Sequence, residues 1–64
     1  MNTFFYFEGR IFETEEAVKT ATKDYMTKNY MVIETNKSFD IFEDEFDKCK
    51  EEGDSDLDAI EWAK

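Results

Sequence analysis

Eleven carboxylates crowd into residues 38–64: Asp40, Glu43, Asp44, Glu45, Asp47, Glu51, Glu52, Asp54, Asp56, Asp58 and Glu61. Four of them, Asp40, Asp44, Asp47 and Glu51, recur at i, i+4, i+7 and i+11. That spacing places side chains on one ridge of a helix. With a rise of about 1.5 Å per residue, successive members step along the axis by about 4.5–6 Å. From Asp40 to Glu52 there are seven acids against Lys48 and Lys50, a net charge of −5. Over a helix about 20 Å long this is one net charge per roughly 4 Å, near the ~3.4 Å of a single DNA strand. The chemistry open to such a row is charge recognition, the occupation of a groove built for phosphates. Glu43, Glu45, Glu52, Asp54, Asp56 and Asp58 would support the ridge. Trp62 would be the apolar anchor, since binding hot spots favour aromatics.

Catalysis finds little in the same residues. The chain has no histidine, the commonest general acid–base. Cys49, the one cysteine, has no histidine to activate it. It falls in line with Phe39, Phe42 and Phe46 and reads as a small core residue. The two glycines, Gly9 and Gly53, cannot make a glycine-rich phosphate loop. A 64-residue chain also has little room for a substrate cleft. The expectation is therefore a non-enzymatic protein without a cofactor. Calcium is the metal to weigh. Asp54, Asp56 and Asp58 match the first, third and fifth positions of an EF-hand loop, but Ala59 stands where its glycine belongs and no residue supplies the twelfth-position glutamate. A cap for a helix beginning after Ser55 explains the same residues more simply.

Composition narrows the partners. Residues 38–64 carry a net charge of −8 and residues 1–37 only −1, so nearly all of the chain's −9 lies at one end. Such asymmetry speaks to partners and not to fold. At −9 the chain should be repelled by nucleic acid and by anionic lipid, which leaves basic proteins as partners. No apolar run approaches the ~20 residues of a membrane span. A free cysteine and no signal-peptide pattern at MNTFFYFEGR suggest the cytoplasm, or the host cytoplasm for a viral protein. One cysteine excludes an intramolecular disulfide, so the core must be apolar. Its material is seven Phe, three Tyr and one Trp against a single leucine. Aromatics bring much area per residue to a core this small.

The elements that must position the acids follow from pattern. Thr3–Phe7 and Arg10–Phe12 read as two strands joined by the two-residue turn Glu8-Gly9. Phe4 and Tyr6 then point to one face, Phe5 and Phe7 to the other, so both faces need cover. Thr14 caps a helix expected to run to about Lys28 and to stop at Asn29, with Ala17, Val18, Ala21 and Tyr25 as its apolar stripe. Tyr30–Thr35 is a third strand, apolar on both faces. Ser38 begins a second helix in which Phe39, Phe42, Phe46 and Cys49 fall within about 80° of arc. The competing assignment extends a strand through residues 38–42, because Phe39 and Ile41 alternate with polar neighbours. Gly53 ends this helix, and Ser55 caps a last one whose apolar contacts would be Leu57, Ile60 and Trp62. The whole is expected to be one α+β domain: a small antiparallel sheet packed with one helix over residues 1–37, then two short acidic helices over 38–64.

The acids also admit a plain explanation, a solvated face that keeps the protein soluble. Three features favour a use. The charge is segregated. Glu51 and Glu52 sit at a helix C-terminus, where the dipole disfavours anions. Like charges four apart on one ridge repel by some tenths of a kcal/mol each.

In size, in its acid-rich helices and in its hairpin–helix–strand body, the chain resembles the short phage-encoded proteins that disable bacterial machinery. These include DNA mimics, anti-CRISPR and anti-restriction proteins, and inhibitors of RNA polymerase. The FETEEAVKTA stretch, Phe12–Ala21, is similar to the strand-to-helix junction of many small β-hairpin–helix domains. The likeness is one of character along the whole chain and assigns no residue. It implies an inhibitor that blocks the basic nucleic-acid-binding surface of a host protein. Two other functions fit the sequence. One is a regulator of bacterial RNA polymerase acting through the sheet and turn, with Tyr6 and Arg10. The other is a module that dimerises or docks through the aromatic sheet face, with Phe5 and Phe7.

Overall fold

In the computed structural model, which describes residues 1–23 and 29–64, the chain forms a three-stranded antiparallel sheet and three helices. The elements are β1 (Asn2–Phe7), β2 (Arg10–Phe12), α1 (Glu15–Thr22), β3 (Met31–Thr35), α2 (Phe39–Glu51) and α3 (Asp56–Ala63). The sheet order is β2-β1-β3. Phe7 pairs with Arg10 across the hairpin, so Glu8 and Gly9 are its whole loop. Both have positive φ, 46° and 85°, as a type I′ turn requires. β3 pairs antiparallel with the other edge of β1, with Phe4 opposite Ile33.

The two-sided apolar pattern of β1 is met by cover on both faces. On one face Phe4, Ile11 and Ile33 pack with Phe42 and Phe46 of α2 and with Ala59, Ile60 and Ala63 of α3. Tyr6, Phe39 and Cys49 close the edges of this cluster. On the other face Phe5, Tyr30 and Val18 of α1 form a smaller cluster, flanked by Phe7 and Phe12. Edge-to-face ring pairs recur in both, Phe4 with Phe39 at 5.3 Å and Phe5 with Tyr30 at 5.5 Å. The seven phenylalanines, with Tyr6 and Tyr30, are therefore core material on both sides of one sheet.

Residues 38–42 belong to α2. Phe39 and Phe42, three apart, pack on the same cluster while Ile41 between them is half-exposed, as a helix demands. The strand alternative would have turned Ile41 inward with Phe39. Ser38 stands at the N-cap, but its side chain makes no capping bond. The C-terminus is closed by backbone. The N–H of Asp54 donates to the carbonyl of Cys49, and that of Gly53 to Lys50, with Gly53 at φ 96°. This is a Schellman motif, and it satisfies carbonyls that the helix end leaves free. Ser55 then caps α3, accepting from the Asp58 N–H at 3.3 Å.

Three expectations are corrected. α1 ends at Thr22 and not near Lys28, because Lys23 adopts a left-handed conformation (φ 59°) and donates its N–H to Lys19. The stop assigned to Asn29 is thus made by Lys23; Tyr25, the last member of the expected stripe, lies outside the described residues. Second, Ala17 and Ala21 face solvent. Val18 of the expected stripe does turn inward, with Lys19 and Thr22 half-buried beside it. Glu15, one turn before Lys19, accepts a hydrogen bond from the Tyr30 hydroxyl. A single large side chain suffices because the cluster on this face is small. Third, Leu57 and Trp62 do not pack inward and are 59% and 76% exposed. Ala59, Ile60 and Ala63 form the inner face of α3. The two alanines let α3 lie close against its neighbours, and this proximity leaves the larger Leu57 and Trp62 on the outside.

Candidate acidic interaction surface

The ridge is built by the phenylalanine stripe behind it. Phe42 and Phe46 fix the rotation of α2 against the sheet. Asp40, Asp44, Asp47 and Glu51 then project from the opposite side, and all four are exposed. Glu43 and Glu45 flank them, half-buried at the edges of the packed face. Glu43 and Asp47 also line a recess with Gly9 and Arg10 of the hairpin. Glu52 is exposed, Asp54 half-buried in the turn between α2 and α3, and Asp58 exposed in the first turn of α3. There the dipole favours Asp58, as it does Asp56.

The carboxylates are not equally free. Glu45 is bound by Lys37, and Asp44 lies 3.8 Å from Lys48 one turn on. Asp56 accepts from both Lys50 and the Tyr6 hydroxyl. These contacts hold its carboxyl below the usual carboxylate range, the Lys50 hydrogen bond contributing most. Burial and the Asp56 carboxylate push the Tyr6 hydroxyl up, so it stays a donor. Asp56 therefore ties α3 to β1 and α2. It belongs to the internal architecture more than to the display. Among the described residues, no ion pair neutralises Asp40, Glu43, Asp47, Glu51, Glu52, Asp54 or Asp58. Lys48 and Lys50 occupy the last turn of α2, where they offset the repulsion between Glu51, Glu52 and the helix dipole.

Trp62, the expected apolar anchor, stands clear of the core on α3. It borders an open groove between α2 and α3, lined also by Lys37, Glu45, Lys48, Cys49, Glu52 and Asp54. Cys49 lies half-buried along this groove and packs on the Phe46 cluster. Burial pushes its thiol up, and the negative charges of Asp54, Glu52 and Glu45 push it further. Glu45, Glu52 and Asp54 thus border the same groove as Trp62.

Of the residues considered for calcium, one aspartate is drawn into other contacts. Ser55 caps α3 and Asp56 is held by Lys50 and Tyr6. Among the described residues no three Asp, Glu, Cys or His side chains group to hold a metal ion. None of the described helices is long and apolar enough to cross a membrane. The sheet residues weighed for docking are largely spoken for. Phe5 is buried beneath α1, Tyr6 is bonded to Asp56, and Arg10 lies over the Phe12 ring at 5.1 Å.

Two features were not legible in the sequence. The Tyr6–Asp56 bond joins residues 50 positions apart, and the Thr35 hydroxyl donates to the Lys64 carbonyl at 3.3 Å across 29 positions. Neither pair leaves a local signal, since both depend on how α3 returns across the sheet. Compared with known protein families, with curated proteins and with solved structures, the chain matches none.

Proposed function

We propose that this protein is a non-enzymatic acidic binding domain that occupies the basic nucleic-acid-binding surface of another protein, in the manner of a phage-type inhibitor of a bacterial host's DNA-binding machinery. One observation carries the proposal. Asp40, Asp44, Asp47 and Glu51 share the exposed side of a helix whose other side is pinned by Phe42 and Phe46. The charges are displayed on a folded surface and not on a mobile tail. Fixed charges lose little conformational entropy on binding, and their field steers a cationic partner toward contact. Regulation of RNA polymerase through the sheet, and docking through the aromatic face, have less surface to work with, since Phe5 and Tyr6 are already engaged.

The test is a retention experiment on a bacterial lysate. The wild-type chain and an Asp40→Asn, Asp44→Asn, Asp47→Asn, Glu51→Gln variant are immobilised in parallel. Wild type should retain nucleic-acid-binding proteins that elute with a salt step and are displaced by duplex DNA. The variant should retain far less of them. Equal retention by both, insensitive to salt and to DNA, would refute the proposal.

A further inference from the structure

We infer that the groove between α2 and α3 is a receptor for an arginine side chain of the basic partner, with the guanidinium stacked on Trp62 beside the unpaired carboxylates of Glu52 and Asp54. This rests on the binding role proposed above and adds to it a site and a residue type. It lies to one side of the ridge, and its chemistry differs from that of a row of charges.

Three observations converge. Trp62 is 76% exposed although the same helix buries Ala59, Ile60 and Ala63 completely or nearly so. An indole in open solvent, on a chain short of apolar material, is a bare π face. Second, the groove beside it is lined by three carboxylates from two elements, Glu45 and Glu52 of α2 and its cap, and Asp54 of the following turn. Glu52 and Asp54 stand on the same groove as the half-buried Cys49. Third, the cations that line the groove are already matched. Lys37 is bound by Glu45 and Lys48 lies by Asp44, which leaves Glu52 and Asp54 without an ion pair among the described residues. A π face beside surplus negative charge selects a cation. Arginine suits it better than lysine, because a guanidinium is planar, stacks on an aromatic ring and is weakly hydrated, whereas an ammonium holds its water as a point charge.

Trp62 is the one tryptophan of the chain and so reports its own occupancy. The full chain is titrated with two peptides of equal length and charge, one built on arginine and one on lysine, followed by Trp62 fluorescence and by calorimetry. The arginine peptide should bind about two- to five-fold tighter, the range of an exposed cation–π contact. Only the arginine peptide should shift the Trp62 emission strongly. Trp62→Leu should abolish the preference while leaving salt-dependent binding of both peptides. Trp62→Phe should retain part of it. Arginine peptide should also slow alkylation of Cys49 more than lysine peptide does. If both peptides bind wild type equally, or if Trp62→Leu keeps the arginine preference, the groove is not an arginine receptor and the acidic-surface function stands alone. If neither peptide binds at all, both proposals fall together.

Discussion

Replacing Phe42 and Ile41 one at a time by alanine tests the placement of the acidic ridge directly. They are neighbours in sequence and opposites in environment, fully buried against 53% exposed. Phe42 packs in the main cluster with its ring centroid 5.7 Å from that of Phe4. A phenylalanine ring buries about 200 Å² of surface, worth about 5 kcal/mol at ~25 cal/mol/Å². Alanine keeps part of that area and the site relaxes in part, so the expected loss for Phe42→Ala is about 3–5 kcal/mol. A domain of this length is stable by roughly 3–10 kcal/mol in all, so the variant should be close to unfolding. Ile41→Ala removes a side chain already half in water, and the expected change is within about 1 kcal/mol. Urea denaturation followed by far-ultraviolet circular dichroism measures both. The order of the two losses is the decisive quantity. Were residues 38–42 a strand, Ile41 would share the inner face with Phe39, and Ile41→Ala would cost more than Phe42→Ala. That result would dissolve the first turn of α2 and remove Asp40 from the ridge.

The remaining predictions concern turns and charge. Glu8→Asn should stabilise the protein by about 1 kcal/mol, since Glu8 sits at φ 46° before Gly9 and asparagine tolerates that region far better; thermal melting reads the gain. Gly53→Ala should cost about 1 kcal/mol without any steric clash, because a Cβ there would meet open space and the penalty is that of a side chain at φ 96°. Asp56→Asn should lower stability at neutral pH. Because the native Asp56 carboxyl titrates below its ordinary value of 3.8, its contribution is complete above that value and fades as pH falls through the depressed one. The stability difference between wild type and Asp56→Asn should therefore be constant at neutral pH and close only in acid, as read by urea midpoints across pH. A difference that vanished above pH 6 would contradict the assignment of Lys50 and Tyr6 as its partners.

Much of the fold was written in local pattern. The hairpin followed from Glu8-Gly9 between aromatic runs, and the two faces of β1 from simple alternation. α2 followed from Phe39, Phe42, Phe46 and Cys49, and the ridge from the acids between them. Each of these depends on periodicity within one element, which the chain carries in itself. The errors fell where a residue's environment depended on a second element. α1 was expected to bury Ala17 and Ala21 with Val18, yet of these three Val18 alone turns toward Phe5 and Tyr30, because those rings and not the helix's own composition set its rotation. Leu57 was expected inside α3, and Trp62 either there or as the exposed anchor, but the close approach that Ala59 and Ala63 permit leaves both outside. Hydrophobicity names what can be buried. It does not decide which side of a short helix meets its neighbour.

The sequence alone determined that this chain is acidic at one end, aromatic throughout, and able to display a row of carboxylates from a helix held by phenylalanines. Only the tertiary structure decided which carboxylates are displayed. Asp56 and Glu45 are drawn into contacts with Tyr6, Lys50 and Lys37, while Asp40, Asp47 and Glu51 remain open. It also decided that Trp62 borders a charged groove and not the core. The reason is physical. Charge and periodicity are properties of single elements, but ion pairing and exposure arise between elements, when α3 folds back beside α2 and across β1.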